Sequence, residues 1–275
     1  MFFLCYIGFE IKPMAAIVMI AVAAVEGIHF IGKLLKKQIV WKKSVLACCL
    51  SAVLGIGAAA GGVSAVVDSL HFPVVTDTVL GWQHHMMLGL NKDTNGGYSQ
   101  ADFDYSTSFS SAEEQHAAEL KEIGKRLKDF GVGGYLQHFV KKSARNYFDG
   151  CFGWGGLGET FYTEIFPERG TVLCSLIRSL YYDNTEDTLY RYQALFRQIL
   201  WYMVLVLVPF SVFTKRPLDK KRQVAVLSVL GLMLYLQIFE AHARYLYTFV
   251  PIFVFLATEA VSYTHLRAHE TCADL

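Results

Sequence analysis

The chemistry-bearing residues of this chain gather in three short stretches. The first is Phe239-Glu240-Ala241-His242-Ala243-Arg244-Tyr245. Glu240 and Arg244 stand four residues apart, a spacing that lets them face the same way and pair if the helix is continuous. An arginine backed by Tyr245 and Tyr247 offers the planar fork of donors that holds a phosphate. The same residues also fit a snorkelling arginine in an aromatic belt at a membrane boundary. The second stretch runs Trp82-Gln83-His84-His85-Met86-Met87-Leu88-Gly89-Leu90, followed by Asn95-Gly96-Gly97-Tyr98 and Asp102-Phe103-Asp104. Neighbouring histidines on a helix point about 100° apart, which makes a poor two-ligand metal site. His84 or His85 can still act as an acid–base group or a sugar contact, with Trp82, Tyr98 and Tyr245 as further substrate contacts. An interfacial helix with a Gly-rich turn is the structural alternative. Asp102 and Asp104 lack metal-ligand spacing, so no metal site is expected. The third stretch is Glu10-Ile11-Lys12-Pro13. Lys12 can meet a lipid phosphate, or it can simply precede a proline in the first turn of a helix.

The elements that must position these residues are membrane helices. Five apolar stretches, at residues 13–31, 44–67, 196–213, 224–240 and 246–260, bracket one polar segment, residues 68–195. A hydrocarbon core about 30 Å thick needs roughly 20 helical residues, and lipid forces backbone polar groups to be satisfied within each segment. The expectation is an all-α polytopic membrane protein of about five spans carrying a mostly helical domain on one face. Three parts follow: a membrane segment at 1–67 with two spans, the domain at 68–195, and a membrane segment at 196–260 with three spans. Within the domain, Ser110-Ser111-Ala112-Glu113-Glu114 signals a helix start, with Gly131 closing a helix over 112–130. Apolar residues recur at helical spacing at Val79, Trp82 and Met86, at Leu120, Ile123 and Leu127, and at Tyr135, Leu136, Phe139 and Val140. Residues 93–98 and 150–158 read as Gly-rich loops. Gly55, Gly57, Gly61 and Gly62 suggest close helix packing in the second span. Glu26 is the one acid well inside a span, beside His29.

Composition sets limits on function. A formal net charge of +1 over 275 residues argues against a nucleic-acid partner, which calls for a basic excess. High aromatic content (20 Phe, 15 Tyr and 4 Trp) suits lipid–water boundaries. The six cysteines show no metal-ligand spacing, and pairing of Cys151 with Cys174 stays open. The connections at residues 33–43 and 214–222 each carry five basic residues. Both are short, so the positive-inside rule places them in the cytoplasm and the 68–195 segment outside it.

The Lys12-Pro13 pair heading a span, the Met86-Met87-Leu88-Gly89-Leu90 and Asn95-Gly96-Gly97-Tyr98 segment, and Glu240-Ala241-His242-Ala243-Arg244-Tyr245 before a last Pro-containing span together carry a resemblance. They resemble a group of Gram-positive bacterial membrane proteins similar to the GT-C glycosyltransferases, the clan of protein O-mannosyltransferases and aminoarabinose transferases. The resemblance runs along most of residues 10–260. It implies inverting transfer of a sugar from a polyprenyl-phosphate donor to a glycan, lipid or protein acceptor at the outer face of a bacterial cell membrane. It further implies Arg244 with Glu240 as lipid-phosphate contacts, and more weakly Lys12 and His85. The clan's catalytic acid, a base or the ligand of a divalent metal, belongs to a first outer loop expected upstream of Met1, because residues 1–8 read as the end of a helix already under way. Asp102 and Asp104 do not fall at that acid's place. A lipid or polysaccharide transporter and a non-catalytic protein whose outer domain binds wall polymer are the competing readings. Residues 261–271 resemble the translation of a transposase adapter used in sequencing libraries, so 261–275 is expected to be a non-biological tail.

The orientation has a direct check. A cysteine placed at Ser110 is expected to react with an impermeant reagent on intact cells, and one at Asp219 only after permeabilisation. The reverse pattern would invert the topology.

Overall fold

The structure is a computed structural model that describes residues 2–36, 43–70, 80–154, 171–181, 188–213 and 217–273; of these, residues 43–45, 48, 178, 188 and 263–273 are described by backbone alone. Val79 and residues 155–158 of the 150–158 loop lie outside the described residues. The described regular structure is helical throughout: α1 (Phe2–Ile11), α2 (Ala15–Leu35), α3 (Lys43–Leu70), α4 (Trp82–Gly89), α5 (Gln100–Thr107), α6 (Ala112–Tyr147), α7 (Val172–Tyr181), α8 (Thr188–Phe210), α9 (Lys220–Ile238), a 3-10 helix (Ala243–Phe249) and α10 (Val250–Ala273). Among the described residues five stretches of 19 to 22 residues are long and apolar enough to cross a bilayer: Ala15–Leu35, Cys49–Leu70, Leu189–Phe210, Lys220–Ile238 and Ala243–Ser262. These fall on the five apolar stretches of the sequence. Their large side chains stay uncovered, as at Ile20, Ile28, Val53, Leu54, Met203 and Val206, which only an apolar solvent tolerates on this scale. The protein is an all-α polytopic membrane protein.

The chain divides into two compact units, Met1–Asp77 with Pro217–Met233, and Thr78–Arg216 with Leu234–Leu275. In the first, α1 packs against α3, and Gly55 permits the approach because a Cβ there would stand 3.2 Å from the Phe2 Cβ and the Phe3 backbone nitrogen. Gly57, Gly61 and Gly62 have no such neighbour within 4 Å among the described residues, so there the close packing expected of the four glycines is seen at Gly55. Gly231 lets α9 approach α2 at Ile17. The Lys220 ammonium donates to both Glu26 carboxylate oxygens at 2.7 Å. Glu26 therefore has a cation at hand, as acids near the end of a span require.

In the second unit, α4 and α5 lie on α6 around Met87, Leu90, Ile123 and Phe130, with Met86 and Tyr135 against them. Full burial of each such side chain stabilises by about 1.5–3 kcal/mol. Arg126 of α6 ties the three helices together. Its Nη1 and Nη2 donate to Asp102 Oδ2 and Oδ1 of α5 at 2.9 and 2.8 Å, Nη1 also to the Met87 carbonyl near the end of α4 at 2.9 Å, and Nε to Glu122 at 3.0 Å. That carbonyl also accepts from the N–H of Leu90 at 3.1 Å, and the forked guanidinium serves it and the acid together. Burial would raise the Asp102 pKa, but hydrogen bonds from Arg126 and Asn91 hold it below the usual carboxylate range. Asp104 accepts from Gln100 at 2.8 Å. Both acids are thus committed to local structure.

Helix α6 starts as expected, with the Ser111 hydroxyl accepting from the Glu114 N–H at 3.3 Å. Gly131 does break it, at φ 57° and ψ 178°, but helical structure resumes and runs on to Tyr147. In that second half the apolar side chains Val132, Leu136, Phe139 and Val140 are exposed, whereas His138, Lys142 and Asn146 are buried. Expecting Tyr135, Leu136, Phe139 and Val140 as the packing face is therefore right only for Tyr135. The interior at this place is lined by carbonyls at helix ends, and these need donors rather than methyl groups. Trp82 is likewise exposed, and Gln83 and His84 take the inner face of α4. Cys151 and Cys174 are both free thiols.

The Gly131 backbone lies in a region that essentially only glycine occupies. Gly131→Ala is expected to cost about 1–3 kcal/mol and to lower the midpoint of thermal unfolding in detergent. An unchanged midpoint would refute the kinked geometry.

Candidate functional site

The site forms where the end of α9 meets the end of α4. Helix α9 stops at Ile238, and the chain runs without regular structure through Glu240 and Ala241 to an extended His242 before the 3-10 turn. Gly89 permits this passage: a Cβ on it would fall 2.7 Å from the Ile238 and Phe239 carbonyl oxygens and 2.8 Å from Lys142 Nζ. Gly96, at φ 80°, accepts from the Ala241 N–H at 2.6 Å. Gly97 faces the Arg145 guanidinium so closely that any side chain would overlap it. Asn91 shapes the loop, its side-chain oxygen accepting from the Asp93 and Thr94 N–H groups at 3.0 and 3.1 Å. The first two stretches singled out in the sequence are thus one structure, with Gly89 and Gly96 at close backbone approaches and Gly97 against the Arg145 side chain.

The inner face of α6 completes the site. Lys142 is fully buried and donates to the Gly89 and Gln237 carbonyls at 2.8 and 2.9 Å. The His138 ring donates to the same Gly89 carbonyl at 2.9 Å. Burial pushes the Lys142 pKa down to about 7, against a weaker opposing pull from Glu240. A neutral amine has two hydrogens to give, which matches the two carbonyls; the third hydrogen of an ammonium would be left without an acceptor. Arg145, one turn further on, donates to the Ala241 carbonyl at a long 3.4 Å.

Glu240 is buried and does not pair with Arg244 as a continuous helix would have it. The helix is interrupted between the two residues, so their i, i+4 relation no longer sets direction. Glu240 accepts from the Tyr245 hydroxyl at 2.9 Å and stands 3.5 Å from His85 Nδ1. Burial would raise its pKa, but hydrogen bonds from His85 and Tyr245 and the nearby charges of His85 and Arg244 bring it below the usual value. It is a carboxylate, and a carboxylate repels phosphate. The Glu240 Oε2 is engaged by the Tyr245 hydroxyl and lies beside the His85 ring. Arg244 is exposed and lies over the Tyr245 ring, 5.3 Å from its centre. His242 caps the 3-10 turn, its Nδ1 accepting from the Arg244 N–H at 3.2 Å. Its pKa is lowered by burial first and by the charges of Arg244 and Arg145 after it.

The remaining expected residues fall as follows. His85 is half exposed beside Glu240. His84, one residue away, points inward: its Nδ1 is hydrogen-bonded to the Ser106 hydroxyl at 2.7 Å, and burial lowers its pKa. The nearby Glu119, at 3.9 Å, therefore faces a ring favouring the neutral form. Tyr98 is exposed and donates to Gln100 at 2.7 Å. Trp82 is exposed at the start of α4. Lys12 sits in the connection between α1 and α2, in the other unit. Lys142 and Arg145 went unnoticed in the sequence because Leu136, Phe139 and Val140 dominate that stretch. Their i, i+4, i+7 relation to His138 was the available signal. Among the described residues no group of three or more His, Cys, Asp or Glu is gathered for a metal ion.

Residues 1–265 match a family described as a conserved hypothetical integral membrane protein. The chain belongs to that family. No curated protein and no solved structure matches it. Family membership and the five span-length helices agree on a multi-pass membrane protein. In this integral membrane protein the polar cluster borders the last span on the side of the 80–154 helices.

Lys142 gives the family member a pH signature. The folded state sheds this proton near pH 7, whereas an ordinary lysine keeps it to 10.5. Between those values the unfolded chain binds the extra proton, so stability rises with pH, by at most about 1.4 kcal/mol per unit. Below pH 7 both states are protonated and the contribution is absent. Lys142→Met is expected to flatten the rise in unfolding free energy between pH 7 and 10; an unchanged slope would show that Lys142 is charged when folded.

Proposed function

We propose that this protein is part of an integral membrane glycosyltransferase that takes a sugar from a polyprenyl-phosphate donor at the outer surface of a bacterial cell membrane. The observation that carries the reading is the electrostatic bias of the site. Arg145 and Arg244 both act on His242, His85 stands on the rim, and the one buried carboxylate beside them, Glu240, is already engaged by Tyr245 and His85. A surplus of donors around one occupied acid, at the mouth of a span, suits a phosphate whose lipid tail lies in the bilayer. The segment with the Gly-rich loop then lies outside the cytoplasm, as the basic connections require.

The chemistry follows from these placements. The acceptor hydroxyl attacks the anomeric carbon as the bond from that carbon to the phosphate oxygen breaks. Arg244, with Arg145 as the second cation near His242, takes up the charge that grows on the departing polyprenyl phosphate. His85, held at Nδ1 by Glu240, presents its other ring nitrogen to receive the acceptor's proton. Tyr245, Tyr98 and Trp82 offer ring faces to the sugar. Lys12, in the other unit, is a second candidate contact for lipid phosphate. The sugar, the acceptor and any divalent metal are further elements of the proposal.

A photoreactive polyprenyl phosphate added to membranes is expected to label the protein. Arg244→Ala should cut labelling at least tenfold with expression and insertion intact, and Arg244→Lys should recover little, since a point charge does not reproduce a fork. Full labelling of the Ala variant would remove Arg244 from the site. In whole membranes, His85→Asn should lower sugar transfer while leaving labelling in place; equal loss of both would make His85 a binding residue instead.

A further inference from the structure

A second feature of the same unit carries a separate inference. Helices α8 and α10 pack side by side and leave a groove of about 630 Å³ between them. Leu200, Val204 and Leu207 form one wall and Val250, Val254 and Ala257 the other. At one end stand Arg197 and the Gly150–Phe152 turn. Two guanidinium nitrogens of Arg197, Nε and Nη2, are buried and have no hydrogen-bond partner among the described residues, and the charge lies close enough to Cys151 to oppose the upward push of burial on that thiol. The turn is held fast beside it: the Gly150 N–H donates to Gln198 at 2.8 Å and Trp201 Nε1 to the Tyr147 carbonyl at 2.9 Å. Phe152 packs edge-on against Trp201 at 5.0 Å and against Tyr247 at 6.0 Å, the aromatic setting of a lipid headgroup level.

We propose that this groove binds one acyl chain of an anionic phospholipid, with the phosphate against Arg197. Both walls are membrane spans, so bilayer lipid is the material that reaches the groove. Buried guanidinium nitrogens without an acceptor are costly, and a phosphate meets the fork of half-buried Arg197 with charge-assisted hydrogen bonds. Length decides which lipid. From Arg197 to Leu207 a helix rises about 15 Å, half of a hydrocarbon core of roughly 30 Å, which is the reach of a single leaflet. A diacyl lipid fits that span, whereas a polyprenyl chain exceeds it. The proposal does not depend on the glycosyltransferase reading.

The test uses the whole chain in nanodiscs of phosphatidylcholine alone or mixed with phosphatidylglycerol, with thermal unfolding and native mass spectrometry as readouts. Phosphatidylglycerol is expected to raise the wild-type unfolding midpoint by several degrees and to stay bound through gentle extraction. The increment should fall below a third of that in Arg197→Gln. Val254→Trp fills the groove from an exposed position and should lose the increment to the same extent while remaining folded. Equal increments in wild type and Val254→Trp would overturn the proposal, as would equal stabilisation by phosphatidylcholine. Selective retention of polyprenyl phosphate in place of the diacyl lipid would overturn it too.

Discussion

Lys142 joins the carbonyls at two helix ends, sharing one of them with His138. Gly89 ends α4 and Gln237 is one residue from the end of α9, and the Lys142 amine donates to both. Helix ends leave carbonyls without partners inside their own helices, and at a membrane boundary neither water nor lipid is a dependable substitute. The fold answers with a side chain from a third helix. Gly89 must be a glycine for the same reason, because the Ile238 and Phe239 carbonyls pass where its side chain would be. The Phe239–His242 segment, and with it Glu240 and Arg244, takes its path from this junction.

The same logic recurs one layer away. Arg126 supplies a donor to the Met87 carbonyl and closes the fork on Asp102. Arg126 and Lys142 of α6 thus each stitch an end of α4 to a neighbouring element. A buried pair of this kind offers little net stability over an apolar replacement, but loss of either partner leaves the other stranded. The rigid body so formed holds the half-exposed His85 against Glu240 and turns Arg244 outward over Tyr245. That combination, with cations on the rim and the carboxylate occupied, is what the proposed lipid-phosphate site rests on.

Much of the architecture was legible in the residues because lipid imposes a simple rule. The five spans, the Ser111 helix start, the break at Gly131 and the loop after Gly89 all follow from local composition and turn chemistry. The inner face of α6 was not legible. Hydrophobic periodicity assumes that apolar side chains seek the interior, yet beside a membrane Leu136, Phe139 and Val140 find the outside acceptable, and the interior here wants donors. The pairing of Glu240 failed for a related reason. Spacing predicts contact only along an unbroken helix, and the chain leaves its helix at Ile238.

The sequence by itself determined that this is an all-helical protein of the membrane, and it marked the three stretches where chemistry could reside. Apolar run length and charge bias are one-dimensional properties, and the bilayer reads them directly. Tertiary structure alone decided that two of those stretches form one site, that His84 turns inward while His85 meets Glu240, and that Lys142 and Arg145 belong beside them. These choices depend on which backbone groups are left without partners when helices from distant parts of the chain come together, and no local pattern records that.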